Sequence, residues 1–288
     1  MRGAGVDVPA PQDGPRGEPV VRRALSLLDQ FSDERRVLGL SDLARLAGMP
    51  PATALRFVRH LTAWGALERL EDGRYVVGVR LWEVASLAPR GHGVRQLALP
   101  YLEDLYEVTH HHVLLAVLEG SAAVLIDRLS SRNATEVAYR VGGRLPLRTT
   151  AVGQVLLAHS EPGLQRELIA QPGDREPGTA EMSERELRAV LASVKAGGVA
   201  VVRRVQPSRT VSVAAPVHDA TGLVAAAISI VVPEGAKPAH ELIPLVRAAG
   251  RAVSRSLGHR QPTSAVRSAG AEPAGAKPPE DAPGGRWS

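Results

Sequence analysis

The segment from Ser41 to Val77 constrains this chain most, because two short amphipathic helices are followed there by a hairpin. The first helix is predicted to begin with Ser41 as its N-cap and to end at Gly48, since serine caps free amide groups and glycine adopts the left-handed conformation readily. Pro51 suits the first position of a second helix, which is predicted to run to Trp64. Two helices joined by so short a turn are typical of a helix-turn-helix.

The second of these helices has two faces of opposite character. Its apolar residues recur at i, i+3, i+4 and i+7, which predicts a face packed on a core: Ala54, Phe57, Val58 and Leu61. The other face offers small residues and then basic ones, as a helix that enters the DNA major groove requires: Ala52, Thr53, Arg56, Arg59 and His60. We predict base contacts from Thr53 and Arg56 and a phosphate contact from Arg59.

The hairpin has Leu67 to Leu70 and Arg74 to Val77 as its strands and Asp72-Gly73 as its turn. We interpret it as a wing whose Arg69 and Arg74 contact phosphates, and Ser41 completes the predicted DNA-binding residues. Pairs of short amphipathic helices also occur in folds that never bind DNA. The hairpin and a further helix predicted over 20–31 favour DNA binding, whereas charge contributes little, since basic residues only modestly outnumber acidic ones here.

Composition limits the remaining classes of protein. The chain has 288 residues, 44% of them hydrophobic and 23% charged, which is enough for two globular domains. Because it has no cysteine, disulfides, thiolate metal sites and cysteine nucleophiles are excluded. No apolar run approaches the ~20 residues of a membrane span and no signal-peptide pattern is present, so we expect a cytoplasmic location. The formal net charge of +5 is compatible with a polyanionic partner.

The rest of the sequence predicts a connector and an α+β domain. The connector helix, predicted over 79–87, carries Trp82 and is expected to pair two copies of the chain. Beyond it, strands joined by short turns indicate a mainly antiparallel sheet flanked by helices, and not a parallel nucleotide-binding sheet. The predicted strands are 113–118, 123–128, 136–141, 199–204, 211–217 and 223–232, and the predicted helices are 95–108, 152–158, 184–196 and 239–257.

Three motifs resemble the IclR family of bacterial transcriptional regulators. The first is GRLPLRTTAVGQVLLA at 143–158, and the second is AAPVHD at 214–219 with Gly222 and the run at 226–230. The third is Thr53 with Arg56, which stand where the family's recognition helix carries a threonine and an arginine. Their order and spacing agree over roughly residues 18–258.

The resemblance implies an N-terminal winged helix, a connecting helix and a C-terminal GAF-like domain that binds a small effector. It also implies dimers, or dimers of dimers, on double-stranded operator DNA. We therefore divide the chain into a disordered tail (1–17), a winged helix-turn-helix (18–78), a linker helix (79–94), an effector-binding domain (95–259) and a second disordered tail (260–288).

Three positions depart from the family's pattern. Gln154 stands where relatives commonly have lysine, Ser212 where a strand often has cysteine, and Arg209 where a glycine is usual before that strand. Because pocket polarity selects ligands, these departures leave the fold intact and the identity of the effector open.

The candidate effector site is the loop that enters the predicted helix at 152–158. Its free backbone amides and threonine hydroxyls could hold a carboxylate at the positive end of the helix, or Thr150 could simply cap the helix. The residues concerned are Thr149, Thr150, Ala151, Val152 and Gly153. Ser212 and Ser229 interrupt apolar strands, so each hydroxyl needs a carbonyl or a ligand as partner. Arg209 could supply a cation to an acidic effector or be merely solvated.

The run His110-His111-His112 invites a metal interpretation, because alternate residues of a strand share a face. No convergent carboxylate is apparent, so we predict neither a metal nor a cofactor.

The leading hypothesis is a transcription factor without catalytic activity, in which a small molecule, expected to be an organic acid, shifts dimer geometry and thereby operator binding. The alternative is a hydrolase-like enzyme that uses the winged helix as an interaction module, although no nucleophile elbow, phosphate loop or metal signature supports it. A regulator that has lost its effector is a third hypothesis.

Overall fold

The computed structural model describes residues 19–32, 34–88, 93–131, 137, 139–171 and 182–260. The predicted tails at 1–17 and 260–288 lie outside these residues except for Arg260, and so does Glu136 at the start of one predicted strand. Within the described residues, no helix is both long enough and apolar enough to cross a membrane.

The N-terminal part contains helix α1 (Val20–Leu25), a 3-10 turn (Leu28–Gln30), α2 (Leu40–Leu46), α3 (Pro51–Trp64) and a hairpin of β1 (Leu67–Arg69) and β2 (Tyr75–Val77). The helix predicted over 20–31 is thus shorter, and a 3-10 turn completes it. The predicted core face of α3 is confirmed, since Ala54, Phe57 and Val58 are buried and Leu61 packs against them. This small core positions α3 with its opposite face outward.

Ser41 is not the N-cap that the sequence predicted, and this prediction is wrong. Helix α2 begins one residue earlier, at Leu40, with Gly39 as its N-cap. Leu38 forms a bridge to Tyr75 of the hairpin, in which each backbone amide donates to the other residue's carbonyl (3.0 and 2.8 Å). Because this bridge keeps the chain extended as far as Leu38, the helix starts directly after it and Ser41 lies exposed in its first turn.

The C-terminal part follows the connector helix α4 (Val79–Ala85) and begins with α5 (Val94–Thr109). Its strands are β3 (His112–Glu119), β4 (Ala122–Leu129), β5 (Arg144–Pro146), β6 (Ala200–Arg204), β7 (Thr210–His218) and β8 (Val224–Pro233). Its other helices are α6 (Ala151–Ala158), α7 (Pro162–Ala170), α8 (Glu184–Gly197) and α9 (Ala239–Ser256). The strands form one sheet in the order β5-β4-β3-β8-β7-β6, and every neighbouring pair is antiparallel.

Each face of this sheet is covered by helices, so the domain has two apolar layers. Helices α6, α7 and α8 pack on one face, and α5 and α9 pack on the other. Alternate residues of the central strands contribute to the two layers, as Ala214 and Ala215 of β7 do. The predicted α+β class with an antiparallel sheet is confirmed.

Other elements also differ from the sequence prediction. A strand was expected over 136–141, but Val137 and the described residues from Tyr139 to Val141 form none. A turn intervenes there, because Gly142 has a φ of +79° and the Gly143 amide donates to the Arg140 carbonyl (2.9 Å), so that β5 pairs with β4 instead. Helix α7 was not predicted, although Pro162 at its first position is a typical start signal.

Candidate functional site

The first candidate surface is the outward face of α3. Ala52, Arg56, Arg59 and His60 are exposed there and Thr53 is half-buried. No acidic residue lies in the first turn of α3, so the positive end of the helix dipole is not neutralised. The Arg56 guanidinium lies 5.4 Å from the centroid of the Phe57 ring, which holds the cation beside the helix.

The hairpin brings two further arginines to its turn. Arg74 forms an ion pair with Asp72, with Nη2 2.7 Å and Nε 2.8 Å from Oδ2. Hydrogen bonds from Arg74 lower the pKa of Asp72, so this carboxylate stays charged at neutral pH. Arg69 reaches the same turn, because a Cβ placed on Gly73 would lie 3.4 Å from its Nη2. Asp72 therefore competes with a phosphate for the Arg74 guanidinium.

The second candidate surface is a cleft of the sheet domain that is partly open to solvent. The start of α6 and strands β3, β6, β7 and β8 border it, together with the segment between β6 and β7. Most of its walls are apolar, with Leu114, Leu145, Val152, Val202 and Val231 among them. We call this space the effector cleft. A mostly apolar lining with a few polar groups is typical of sites for small molecules.

Five of the predicted effector residues line the effector cleft: Thr150, Ala151, Val152, Ser212 and Ser229. Thr150 is the N-cap of α6, since its Oγ1 accepts from the Gly153 amide (3.1 Å) and donates to the Pro146 carbonyl (2.7 Å). These bonds use the hydroxyl hydrogen of Thr150. Capping is therefore its observed role, and the amides of Ala151 and Val152 remain as the positive groups at this end of α6.

Thr149, Gly153 and Arg209 do not line the effector cleft. Gly153 instead allows a close approach of chains, because an added Cβ would lie 2.4 Å from the Pro146 carbonyl oxygen. Arg209 lies at the strand edge, where its Nη1 is 3.6 Å from Glu234 Oε2. Its guanidinium is exposed, as expected for a solvated ion pair.

Arg204, at the end of β6, borders the effector cleft but was not among the residues predicted from the sequence. Its Nη1 donates to the Tyr139 hydroxyl (2.8 Å), and its Cζ lies 5.3 Å from the centroid of the same ring. Tyr139 also lines the cleft. The pair places a cation and a phenol at a largely apolar wall.

Ser212 on β7 pairs with Val231 and Ser229 on β8 pairs with Ala214, so the two serines share the face against the effector cleft, two residues apart in register. They are buried, yet among the described residues neither hydroxyl has a hydrogen-bond partner. Both residues line the cleft, so a bound molecule or water there can provide the hydrogen-bond partner of each hydroxyl.

Gln154, the departure from lysine, has a structural role. It is buried, and its Nε2 donates to the Arg148 carbonyl (2.9 Å). Arg148 is 8% exposed. Its guanidinium donates to three backbone carbonyls, those of Leu168 (2.9 Å), Gln171 (2.5 Å) and Met182 (3.1 Å). Both residues thus fix the loop before α6 and do not line the cleft.

The three consecutive histidines do not converge. His110 ends α5 with a φ of +53°, and His112 Nδ1 lies 2.7 Å from Ser130 Oγ. Across the described part of the chain, no group of three or more histidine, aspartate and glutamate side chains could hold a metal ion.

The chain matches two family models in chain order. Residues 20–71 match the IclR helix-turn-helix domain, and residues 88–255 match the bacterial transcriptional regulator IclR C-terminal domain. These ranges contain α3 with the hairpin's first strand and the whole lining of the effector cleft, respectively.

Similar proteins agree with both matches. The glycerol operon regulatory protein of Streptomyces griseus is 30% identical over 83% of this chain and 96% of its own length. The HTH-type transcriptional regulator XynR of Escherichia coli is 28% identical over 83% of this chain and 97% of its own. The crystal structure of an IclR homolog complexed with 4-hydroxybenzoate, from Microbacterium hydrocarbonoxydans, is 32% identical, with a TM-score of 0.78 over 83% of this chain and 99% of that one.

The architecture, the family models and the relatives lead to one conclusion. A helix-turn-helix with an outward basic face is joined here to a C-terminal domain with a cleft suited to a small molecule. The chain belongs to the IclR family of transcriptional regulators, which bind DNA through the first of these parts and a small-molecule effector through the second.

Proposed function

We propose that the effector of this regulator is a small organic acid with an apolar, preferably aromatic, body. The observation that carries the proposal is the lining of the effector cleft, where the first amides of α6, the Arg204 guanidinium and two free serine hydroxyls border an otherwise apolar space. Amides at a helix start and an arginine both favour a carboxylate. The relative bound to 4-hydroxybenzoate supports this class, since that ligand joins a carboxylate and a hydroxyl through an aromatic ring.

Calorimetric titration of the full chain with 4-hydroxybenzoate and a panel of aromatic and aliphatic acids tests the effector. Replacing Arg204 by Gln is expected to lower the affinity for the tightest-binding acid about tenfold or more, because a charge-assisted hydrogen bond is lost. Arg209→Gln is the matched control, since it removes the same charge from an arginine outside the cleft. Equal affinity in the two variants, or no acid that binds, would contradict the proposal.

For DNA, we propose that α3 enters the major groove and that the hairpin follows the phosphates. Thr53 and Arg56 then contact bases, while Arg59, Arg69 and Arg74 contact phosphates. Ser41, Ala52 and His60 border the same interface. Support comes from the exposed face of α3 with Ala52, Arg56, Arg59 and His60, and from the absence of an acidic residue in its first turn.

Gel shifts on operator and random duplexes test this division. Arg56→Ala is expected to weaken binding to the operator about tenfold more than binding to a random duplex, because one base contact is lost. Arg74→Ala should weaken both duplexes alike and flatten the salt dependence. Arg188→Ala in α8 is the charge-matched control. Equal losses on both duplexes for Arg56→Ala would refute the assignment.

We further propose that two copies of the chain associate through α4. In this arrangement residues 18–78 bind DNA, residues 79–94 connect the two domains and residues 95–259 bind the effector. Trp82 is 62% exposed and Leu87 80% exposed, which is costly for large apolar side chains unless a partner covers them. An effector that favours one dimer geometry would then change half-site spacing.

Sedimentation velocity checks the association. Trp82→Glu is expected to yield monomers, whereas Val201→Glu, at an exposed apolar residue of β6, should sediment as the parent protein does. A dimeric Trp82→Glu variant would place the interface elsewhere.

We propose no catalytic role, since the relatives named above are transcriptional regulators.

A further inference from the structure

A second cleft lies between α8 of one helix layer and α9 of the other, and among the described residues it shares no lining residue with the effector cleft. It is open to solvent, and its walls are the end of α8, the end of β7 and the second half of α9. Its side chains that carry or can take up positive charge are Lys195, His218, Arg247, Arg251 and His259, and its described lining includes no aspartate or glutamate. We call this space the basic cleft.

The basic groups reach the basic cleft from separate elements. Arg247 and Arg251 lie one turn apart on α9, and Arg247 Nη2 donates to the Gly197 carbonyl. Within the described residues, neither Lys195 nor Arg251 has a hydrogen-bond or ion-pair partner. Several cations that converge without a counterion repel one another, so the arrangement favours a bound anion.

Two imidazole rings form part of the wall. The rings of His218 and His259 are stacked with centroids 5.0 Å apart, and His159, at the end of α6, contacts His218 edge-on at 6.1 Å. Burial lowers the pKa of His218, the neighbouring His259 and His159 lower it further, and only Asp219 opposes them. The Asp219 side chain is held in its own turn by Thr221 and Leu223, so it does not neutralise the cleft.

Counter-charges at helix ends explain only part of this cluster. Lys195 lies in the last turn of α8 and Arg247 bonds to that helix's end, where a cation interacts favourably with the dipole. Arg251 lies within α9 and not at a helix end. Neither His218 nor His259 caps the end of α8, where Arg247 bonds. A two-fold contact of this face with the same face of a second copy would bring like charges together and is therefore unfavourable.

We propose that the basic cleft binds a small molecule that carries a phosphate group. Phosphate is doubly charged near neutral pH and accepts several hydrogen bonds, which matches arginine, lysine and imidazolium donors that converge from three sides. The concave shape favours a small molecule over the backbone of duplex DNA. The proposal is independent of the effector cleft, because the two sites share no residue.

Calorimetric titration of the full chain with inorganic pyrophosphate, without DNA or organic acid, tests the site. We expect one site per chain with Kd on the order of 0.1 mM or tighter. Arg251→Gln and His218→Gln should each weaken binding about tenfold. Arg255→Gln is the matched control, since Arg255 lies one turn along α9 and borders a different groove, and Arg204→Gln should also bind normally. If His218→Gln fails to fold, His259→Gln replaces it.

A sulfate titration isolates the histidines, because sulfate keeps its charge between pH 6 and pH 8. Affinity should rise at least about threefold as the pH falls, since anion binding stabilises the charged form of His218, whose pKa is low in the free protein. In the His218→Gln variant this pH dependence should decrease.

Three results would overturn the proposal. The first is the absence of pyrophosphate binding. The second is an equal loss in Arg255→Gln, which would indicate diffuse surface charge. The third is a loss of random-duplex binding in Arg251→Gln as large as that in Arg74→Ala, which would make the face a DNA contact.

Discussion

Replacing Gly153 by Ala probes the contact that shapes the effector cleft. An added Cβ would lie 2.4 Å from the Pro146 carbonyl oxygen, 2.6 Å from Leu147 Cα and 2.6 Å from Thr150 Oγ1. Two of these atoms belong to the backbone and cannot rotate away. The start of α6 must therefore retreat by about 1 Å to restore ordinary van der Waals contact.

The cost of this retreat follows from the bonds it breaks. The cap bond between Thr150 and the Gly153 amide and the bond from Thr150 to the Pro146 carbonyl are each worth about 1 kcal/mol. Residual overpacking adds about 1–3 kcal/mol. Alanine regains about 1 kcal/mol of helix propensity over glycine. We expect the free energy of unfolding of the sheet domain to fall by about 2–4 kcal/mol.

Urea unfolding can assign the loss to one domain, because the tryptophans are Trp64, Trp82 and Trp287 and none lies within 93–260. Far-UV circular dichroism should show the shifted transition, whereas tryptophan emission should change little. The matched control is Gly163→Ala in α7, where an added Cβ meets nothing within 4 Å. If Gly153→Ala is as stable as Gly163→Ala, the close approach does not shape the cleft and the reasoning is refuted.

Three further substitutions test single contacts. Asp72→Asn releases Arg74 and removes a negative charge from the hairpin, so DNA affinity should rise about threefold at low salt in gel shifts; unchanged affinity would show that the hairpin does not meet phosphate. Arg148→Met leaves three carbonyls without their donor and should cost about 2–4 kcal/mol of unfolding free energy in urea; a stability equal to the parent's would show that water replaces the guanidinium. Ser254→Ala removes the hydroxyl that accepts from the His218 amide (2.8 Å), and a loss of about 1–2 kcal/mol is expected by the same assay; no loss would mean that the amide finds another acceptor.

The helices and the central strands could be predicted because their burial follows a local period. The apolar spacing of α3 and the buried runs of β7 and β8 are visible in the sequence, and they correspond to single elements of the structure. Element ends were less predictable. The start of α2 depends on the bridge from Leu38 to Tyr75, which joins residues far apart in sequence.

The strand expected over 136–141 failed for a related reason. Its alternating apolar residues do pack on the core, since Val137 and Tyr139 contact the layer beneath α6. Alternation indicates which side chains are buried, but a strand also needs a neighbour with free backbone groups. The Gly142 turn gives that neighbour position to β5, which pairs with β4.

The cation of the effector cleft shows how strand register decides what local sequence cannot. Paired residues of an antiparallel ladder share a face, and β6 pairs Val202 with Ser212 and Arg204 with Thr210. Ser212 faces the cleft, so Thr210, Val202 and Arg204 face it as well. Arg209 precedes Thr210 by one residue, and its side chain accordingly lies on the other side, near Glu234. Both arginines flank the same turn in the sequence, but a shift of β6 by one residue would turn Arg203 toward the cleft in place of Arg204 and leave Arg209 outside. The loss expected in Arg204→Gln, with none in Arg209→Gln, therefore tests the register of β6 on β7 as well as the ligand.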